Sequence, residues 1–122
     1  MEQVITNIGR RKILQARNGK PLPPIKGIAL GSGAEDSNRK LISLDKTSSE
    51  LRNEVIRKEC VSWQVDSNCI RYRIVLEESE LVNTKINEAA LYDTDGDLLV
   101  INVFKGKRKA EMELAFEFDD KF

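Results

Sequence analysis

The spacing of hydrophobic residues near the start of the chain predicts a helix. Thr6 is a favoured helix N-cap residue, and Asn18-Gly19 is a typical stop signal. A helical wheel places four apolar residues on one side: Ile5, Ile8, Ile13 and Ala16. The pattern therefore predicts a first helix over residues 6–17.

Prolines and glycines mark the limits of the next elements. Pro21-Leu22-Pro23-Pro24 cannot continue a helix and favours an extended chain. Residues 25–30 form a short apolar run that ends at Gly31-Ser32-Gly33, which predicts a strand and then a turn. The polar residues 34–40 predict a loop.

The segment after this loop contains a capping-box spacing. Residues 41–44 are expected to be extended. In Thr47-Ser48-Ser49-Glu50, the side chain of Thr47 can accept a hydrogen bond from the amide of Glu50, and the side chain of Glu50 can accept one from the amide of Thr47. The spacing therefore predicts a short helix that turns Leu51 inward.

Two alternating runs after residue 55 predict a β-hairpin with its turn at Asp66-Ser67-Asn68. One register collects apolar residues on a single face in three opposed pairs: Val65 with Ile70, Trp63 with Tyr72, and Val61 with Ile74. The other face then carries side chains that meet water or a partner: Cys60, Ser62, Gln64, Arg71 and Arg73.

The same register separates the two cysteines. Cys60 lies about six residues from Cys69 along the hairpin, roughly 20 Å at about 3.3 Å per residue. A disulfide needs Cα atoms within about 7 Å. We therefore expect two ordinary buried or half-buried thiols, in agreement with a reducing compartment.

A second hairpin and a last strand complete the predicted fold. Residues 86–92 and 98–104 flank Asp93-Thr94-Asp95-Gly96-Asp97, where Asp-Gly supplies the positive φ values of a tight turn. Apolar and charged residues alternate over residues 111–118, which predicts a half-buried strand, and the basic residues 105–109 before it predict a solvated loop. The fold class is therefore predicted as α+β, with an N-terminal helix and a largely antiparallel β-sheet built from hairpins.

Composition narrows the classes of function. The length of 122 residues predicts one domain over residues 1–122. Histidine is absent, which excludes Ser-His-Asp and Cys-His catalytic units and histidine zinc ligands. No apolar run approaches the ~20 residues of a membrane span, and Met1-Glu2-Gln3 does not open a signal peptide. We therefore expect a non-enzymatic protein that is made in the cytoplasm and has no membrane contact.

The 20 basic and 20 acidic residues are unevenly distributed. Residues 1–26 contain six basic residues and one acid, so this segment carries +5, and the remainder, with 14 against 19, carries −5. An uneven distribution of charge can steer association with nucleic acid or with an acidic protein surface. More commonly, a cluster of basic residues is the solvated face of a helix. The alternative function is therefore a small nucleic-acid-binding protein that uses the basic N-terminal helix and the 105–109 loop.

Two segments resemble ligand sites but lack part of the pattern. Gly31-Ser32-Gly33 has Asp36 where a dinucleotide-binding loop needs its third glycine, so a strand-ending turn is favoured. Asp93-Thr94-Asp95-Gly96-Asp97 resembles a calcium loop, but Phe104 occupies the place of the acidic twelfth ligand. The sequence therefore predicts no cofactor and no metal.

Four blocks of sequence, in the same order, resemble the N-terminal domain of phage tail-collar fibre proteins. The first block is Thr6-Asn7-Ile8-Gly9-Arg10, and the second runs over residues 22–33 and contains Gly31-Ser32-Gly33. The third is Leu51-Arg52-Asn53-Glu54-Val55-Ile56-Arg57, similar to the family's leucine, x, asparagine-glutamate-valine, x, arginine. The fourth, over residues 86–98, contains Glu88 and the aspartate-glycine-aspartate-leucine of the family. Together they cover nearly the whole chain.

The resemblance implies a structural protein of a phage tail or phage-like particle, without a catalytic site. It implies a baseplate or other tail protein as partner and a homo-oligomer, a trimer, as the assembled form. Structural roles are expected for the motif residues Asn7, Gly9, Gly31, Gly33, Asn53, Glu54, Glu88, Asp95 and Gly96. Candidate partner-contact residues are Arg71, Arg73, Lys107 and Arg108.

This chain departs from the family pattern at three places. Ala90 replaces the usual glycine, and Ser32 stands where an acid is common. The sequence stops at Phe122, whereas fibre proteins continue into a shaft and a receptor-binding tip.

Within the third block, Glu54 and Arg57 are expected to pair across a helix-to-strand junction.

Overall fold

Strands make up most of the regular structure. The computed structural model describes residues 2–45 and 47–122. Its helix α1 spans Asn7–Arg17. The strands are β1 (Glu2–Ile5), β2 (Ile25–Gly31), β3 (Glu54–Glu59), β4 (Val61–Asp66), β5 (Cys69–Leu76), β6 (Lys85–Asp93), β7 (Leu98–Arg108) and β8 (Leu114–Lys121). The predicted helix and antiparallel pairing are both present, and the sheets account for a larger share of the chain than the α+β prediction implies.

Two antiparallel sheets enclose the main core. The five-stranded sheet has the order β1-β7-β6-β2-β3, and the three-stranded sheet has the order β4-β5-β8. Ile28, Leu30 and Leu91 of the first sheet join Tyr72 and Ile74 of the second in one buried apolar cluster. Every second residue of each strand therefore points into the space between the sheets, because side chains alternate between the two faces of a strand.

The helix begins and ends where the sequence predicts. Thr6 Oγ1 accepts a hydrogen bond from the Gly9 amide at 3.0 Å and donates to the Leu98 carbonyl at 2.8 Å, so the N-cap also joins α1 to β7. A Cβ atom on Gly9 would lie 2.6 Å from the Leu99 carbonyl oxygen. Glycine is thus required for the close approach of helix and strand. Across the described residues, no helix has the length and hydropathy that a membrane crossing requires.

Strand β1 is absent from the sequence prediction. It pairs with β7, and Val4 lies opposite Ile101. The helical wheel places Ile5 on the apolar side of the helix, but this is wrong, because Ile5 ends β1 and lies opposite Val100. A four-residue strand whose partner lies nearly 100 residues away has no local signal, so only the folded chain reveals it.

The predicted short helix after Thr47 is wrong. Residues 47–53 have no helical conformation. The Thr47 amide and hydroxyl both donate to Asp45 Oδ1, at 2.8 and 2.9 Å, and the Arg52 and Asn53 amides donate to the carboxylate of Glu88. The amide at the start of the capping-box segment and the two amides just after it therefore have acceptors that a helix would not provide. Leu51 is nevertheless buried, as expected.

The first hairpin forms, but the predicted register is wrong by one residue. Trp63 lies opposite Arg71, and Tyr72 lies opposite Ser62. The register shifts between Gln64 and Asp66, which is a bulge near the turn. This shift moves the apolar residues of β4 away from the core. Cys60 is half-buried and Cys69 is buried, and both are free thiols, as the sequence predicts.

The predicted second hairpin and last strand are both present, with two corrections. Gly96 has a φ of +87° in the turn between β6 and β7. The predicted strand over residues 111–118 begins too early, because residues 111–113 form an exposed bend and β8 spans Leu114–Lys121, with Phe118 buried on its inner face. The predicted loop over residues 105–109 is wrong, because β7 continues to Arg108. A strand of eleven residues carries this basic segment past the end of the predicted hairpin.

Candidate protein-contact surfaces

The outward face of β4 and β5 combines apolar and cationic side chains. Val61 and Trp63 lie opposite Arg73 and Arg71, and opposed residues of an antiparallel pair share a face. The exposed fractions are 64% for Val61, 43% for Trp63 and 44% for Val65 in the bulge. The register shift therefore joins the predicted apolar stripe to the predicted arginines. We call these five residues the β4–β5 face.

The two arginines of this face differ in their partners. Arg71 binds the Asp119 carboxylate of β8 through two hydrogen bonds of 2.7 and 3.0 Å. Hydrogen bonding to Asp119 raises the pKa of Arg71, and the same bond lowers the pKa of Asp119. Arg73 is exposed and lies opposite Glu117. Arg71 is thus held in a fixed position, whereas Arg73 extends the cationic edge of the face.

The basic residues at the end of β7 are exposed except for the last lysine. Lys109 is buried, and its ammonium group donates to the carbonyl oxygens of Glu77, Glu78 and Ala110 at 3.0 to 3.2 Å. Arg108 donates to the Asn83 carbonyl at 2.5 Å. Lys107 is exposed beside it. No sequence pattern predicts the burial of Lys109, because its three acceptors are backbone carbonyl groups.

The acidic turn binds a lysine of the helix. Lys12 Nζ lies 2.5, 3.0 and 2.8 Å from carboxylate oxygens of Asp93, Asp95 and Asp97. These carboxylates also lie close enough to one another to hold a metal ion, but the ammonium group contacts all three. Burial alone would lower the pKa of Lys12, and the hydrogen bonds to the three aspartates raise it above its usual value. Lys12 is therefore neutralised within the fold, and Lys26, another of the six basic residues in the N-terminal segment, lies 3.7 Å from Glu59 Oε1.

Glu88 organises the long connection between β2 and β3. Its carboxylate accepts hydrogen bonds from the amides of Gly33, Arg52 and Asn53, each at 2.9 Å, and Glu88 is buried. A Cβ atom on Gly31 would lie 2.4 Å from Glu88 Oε2. The motif residues of three sequence blocks therefore meet here. We call this arrangement the Glu88 cradle.

The predicted pairing of Glu54 and Arg57 is confirmed, although both residues lie within β3. Arg57 Nε lies 2.8 Å from Glu54 Oε2, and this hydrogen bond raises the pKa of Arg57. Arg57 also donates to the Gly96 carbonyl at 2.9 Å and lies over the Tyr92 ring at 4.9 Å. These contacts tie the edge strand β3 to the acidic turn.

Motif residues from the helix, β3 and the acidic turn border one polar groove. It has a volume of about 780 Å³, and Asn7, Asn53, Glu54 and Gly96 are among the residues that line it. Arg71 and Arg73 are not among them. The motif residues and the β4–β5 face thus form separate surfaces of the molecule.

Comparison with known proteins identifies one family. The family model for the phage tail-collar fibre protein, N-terminal, matches residues 1–116. Neither the curated proteins nor the solved structures contain a match to the chain.

Proposed function

The chain belongs to the phage tail-collar fibre family, and from this premise we propose that residues 1–122 are one tail-collar-fibre-like domain that attaches a tail fibre, or forms its base, at the baseplate. Membership of this family indicates a structural component of a phage tail. The attachment to the baseplate of a contractile tail and the lack of catalysis are our proposals. So is the origin of the protein, which is synthesis in the bacterial cytoplasm from a phage or prophage gene.

The β4–β5 face is the observation that carries this proposal. Strand β4 lies at the edge of the three-stranded sheet, and all six of its residues are exposed. An exposed apolar edge strand is a site of association in folded proteins. Tryptophan and arginine are also enriched among residues that contribute most to protein-protein binding. We propose that Trp63, Arg71 and Arg73 contact a baseplate or other tail protein, and that Lys107 and Arg108 form a second, smaller contact.

A capture experiment tests this contact. The full chain is immobilised and incubated with separately purified tail proteins of the same particle. We expect one baseplate protein to bind, and the double variant Trp63→Ser, Arg73→Glu to bind at least about tenfold more weakly, because a central aromatic contact and a charge are both lost.

The matched control is the double variant Leu41→Ser, Lys40→Glu, which likewise replaces an exposed apolar residue by serine and an exposed cation by glutamate, on the connection before β3. It should bind like the unaltered chain. Failure of every tail protein to bind would contradict the attachment proposal. Equal binding by both double variants would contradict the assignment of the β4–β5 face.

We also propose that the chain forms a homo-oligomer, a trimer. The opposite charges of residues 1–26 and of the remainder support association between copies. Sedimentation equilibrium over a range of concentrations should give three times the monomer mass. A monomer mass at the highest concentration would contradict this part of the proposal without affecting the capture experiment.

The alternative, nucleic-acid binding, has less support. It needs a basic cluster at residues 105–109, but Lys109 is buried and bound to carbonyl oxygens. Lys12 of the helix is likewise bound to three aspartates. A filter-binding assay at low salt should therefore retain no DNA or RNA, whereas retention that falls steeply with added salt would favour the alternative.

A further inference from the structure

An apolar groove lies between the helix, the proline-rich segment and one end of the three-stranded sheet. It has a volume of about 300 Å³ and is lined mainly by apolar side chains, including Ile13, Leu22, Pro23, Ile70 and Phe122. Phe122 is 78% exposed. Such a concave apolar surface is suited to receive a side chain of another molecule.

Arginines border this groove on the helix side. Ile5 and Ile13 also line an adjoining depression that includes Arg10, Leu14 and Arg17. Both arginines are exposed, and Leu14 is 67% exposed. Arg10 Nε donates to the Ile5 carbonyl at 3.2 Å, which keeps this guanidinium beside the groove. The groove therefore favours an occupant with an apolar side chain next to negative charge.

Asp120 lies on the opposite wall of the groove and is the acid among its lining residues. Burial raises the pKa of this carboxyl. An acidic occupant would therefore place its negative charges on the helix side, near Arg10 and Arg17, and its apolar side chain against the central wall.

The bend before β8 has the matching chemistry. Residues 110–113 are all exposed, and Met112, which is 61% exposed, stands between Glu111 and Glu113. Methionine is unbranched and adapts to irregular apolar surfaces. The bend therefore presents one flexible apolar side chain between two carboxylates.

This bend cannot enter the groove of its own chain. Leu114 lies opposite Leu76 at one end of the β5–β8 pair, whereas Lys121 lies opposite Cys69 at the other end, next to Ile70 of the groove. The seven steps of strand between these ends span about 24 Å. The complementary surfaces therefore point to two different molecules.

We propose that the 110–113 bend of one copy docks in the apolar groove of a second copy, with Met112 in the groove and Glu111 and Glu113 near Arg10 and Arg17. This inference rests on the homo-oligomer part of the proposed function and names its interface. The contact joins two different surfaces, so repetition gives a closed ring if the rotation closes, and a trimer is one such ring.

Charge reversal tests the contact. The groove variant is Arg10→Glu, Arg17→Glu, and the bend variant is Glu111→Arg, Glu113→Arg. Sedimentation velocity of each full chain should show self-association at least about tenfold weaker than in the unaltered chain, because like charges then face each other. The chain with all four changes should associate again, since its charges are complementary and its net charge is unchanged. Added salt should weaken the unaltered oligomer.

Two further variants separate docking from folding. Met112→Ser changes an exposed side chain, so it should fold normally and still lose at least about tenfold in self-association. The control Arg39→Glu, Lys40→Glu, which alters two exposed cations of another segment, should associate like the unaltered chain.

Each contrary result has a distinct meaning. If the unaltered chain self-associates and every variant does so equally strongly, the groove contact is overturned and the homo-oligomer proposal stands. An unaltered chain that stays monomeric would overturn both, while capture of a tail protein would still test the attachment. Loss of tail-protein capture in the groove variant alone, with self-association intact, would overturn the second copy as the occupant.

Discussion

Replacing Glu88 by glutamine should destabilise the fold through its backbone partners. Glu88 Oε2 accepts hydrogen bonds from the amides of Gly33 and Asn53, and Oε1 accepts one from the amide of Arg52. Glutamine has nearly the same size but only one acceptor oxygen. If that oxygen takes the place of Oε2, the amide group of glutamine faces the Arg52 amide, and two donors meet.

The loss in the free energy of unfolding can be worked out from these hydrogen bonds. One buried donor loses its acceptor, and two hydrogen bonds lose the strengthening that a charged acceptor provides, which together amounts to about 2 kcal/mol. A loss of that size shifts the folding equilibrium by about 30-fold. Glu88→Ala removes all three acceptors and leaves a cavity, so it should cost about 3–5 kcal/mol.

Urea unfolding measures the change, with Trp63 fluorescence and far-ultraviolet circular dichroism as independent probes. The control Glu78→Gln alters an exposed carboxylate and should change the free energy of unfolding by less than about 0.5 kcal/mol. Amide hydrogen exchange should accelerate at Gly33, Arg52 and Asn53 in Glu88→Gln. A variant as stable as the control, with unchanged exchange at these amides, would refute the role given to the Glu88 cradle.

Three other changes test the remaining contacts. Lys12→Met leaves Asp93 buried beside two like charges and should lower the free energy of unfolding by about 2–3 kcal/mol in urea titrations; a loss below about 0.5 kcal/mol would contradict the role of the lysine. Gly9→Ala forces the helix away from β7 and should cost about 1–3 kcal/mol by the same measurement, whereas an unchanged midpoint would contradict the close approach. Because Arg71 lowers the pKa of Asp119, the stability from this pair is fully present above the ordinary aspartate pKa of 3.8 and is lost as the pH falls through the lower folded value. The thermal unfolding midpoint Tm should therefore fall less steeply from pH 6 to pH 2 in Asp119→Asn than in the unaltered chain. Parallel plots of Tm against pH would contradict a stabilising role for the pair.

Local signals in the sequence predict part of the fold. The N-cap at Thr6 and the turn at Gly96 lie where the residue types require them, because both depend on groups within a few residues. Strand β2 is likewise limited by the prolines before it and the glycines after it. These elements need no knowledge of the distant chain.

The remaining features depend on contacts between distant residues. Strand β1 exists because β7 offers a partner, and the capping-box segment is not helical because Glu88 accepts its neighbouring amides. The bulge before Asp66 moves Trp63 to the outer face, and alternation alone does not place a bulge. Lys109 is buried because three carbonyl groups surround its ammonium group.

The candidate contact site shows the same division. The sequence selects Arg71 and Arg73 as residues on the outer face of the hairpin, and the structure places them there. It assigns Trp63 to the core, whereas the bulge exposes it beside these arginines. Only the folded register therefore reveals a surface that combines an aromatic residue with two cations.

Immunogold electron microscopy of intact tail particles tests attachment at the baseplate most directly. An antibody raised against the full chain is applied to purified particles, and particles from a deletion of its gene serve as the control. We expect gold at the baseplate end of the tail, where the fibres begin, and none on the deletion particles. Gold along the tail tube, or particles that lack the protein, would contradict it.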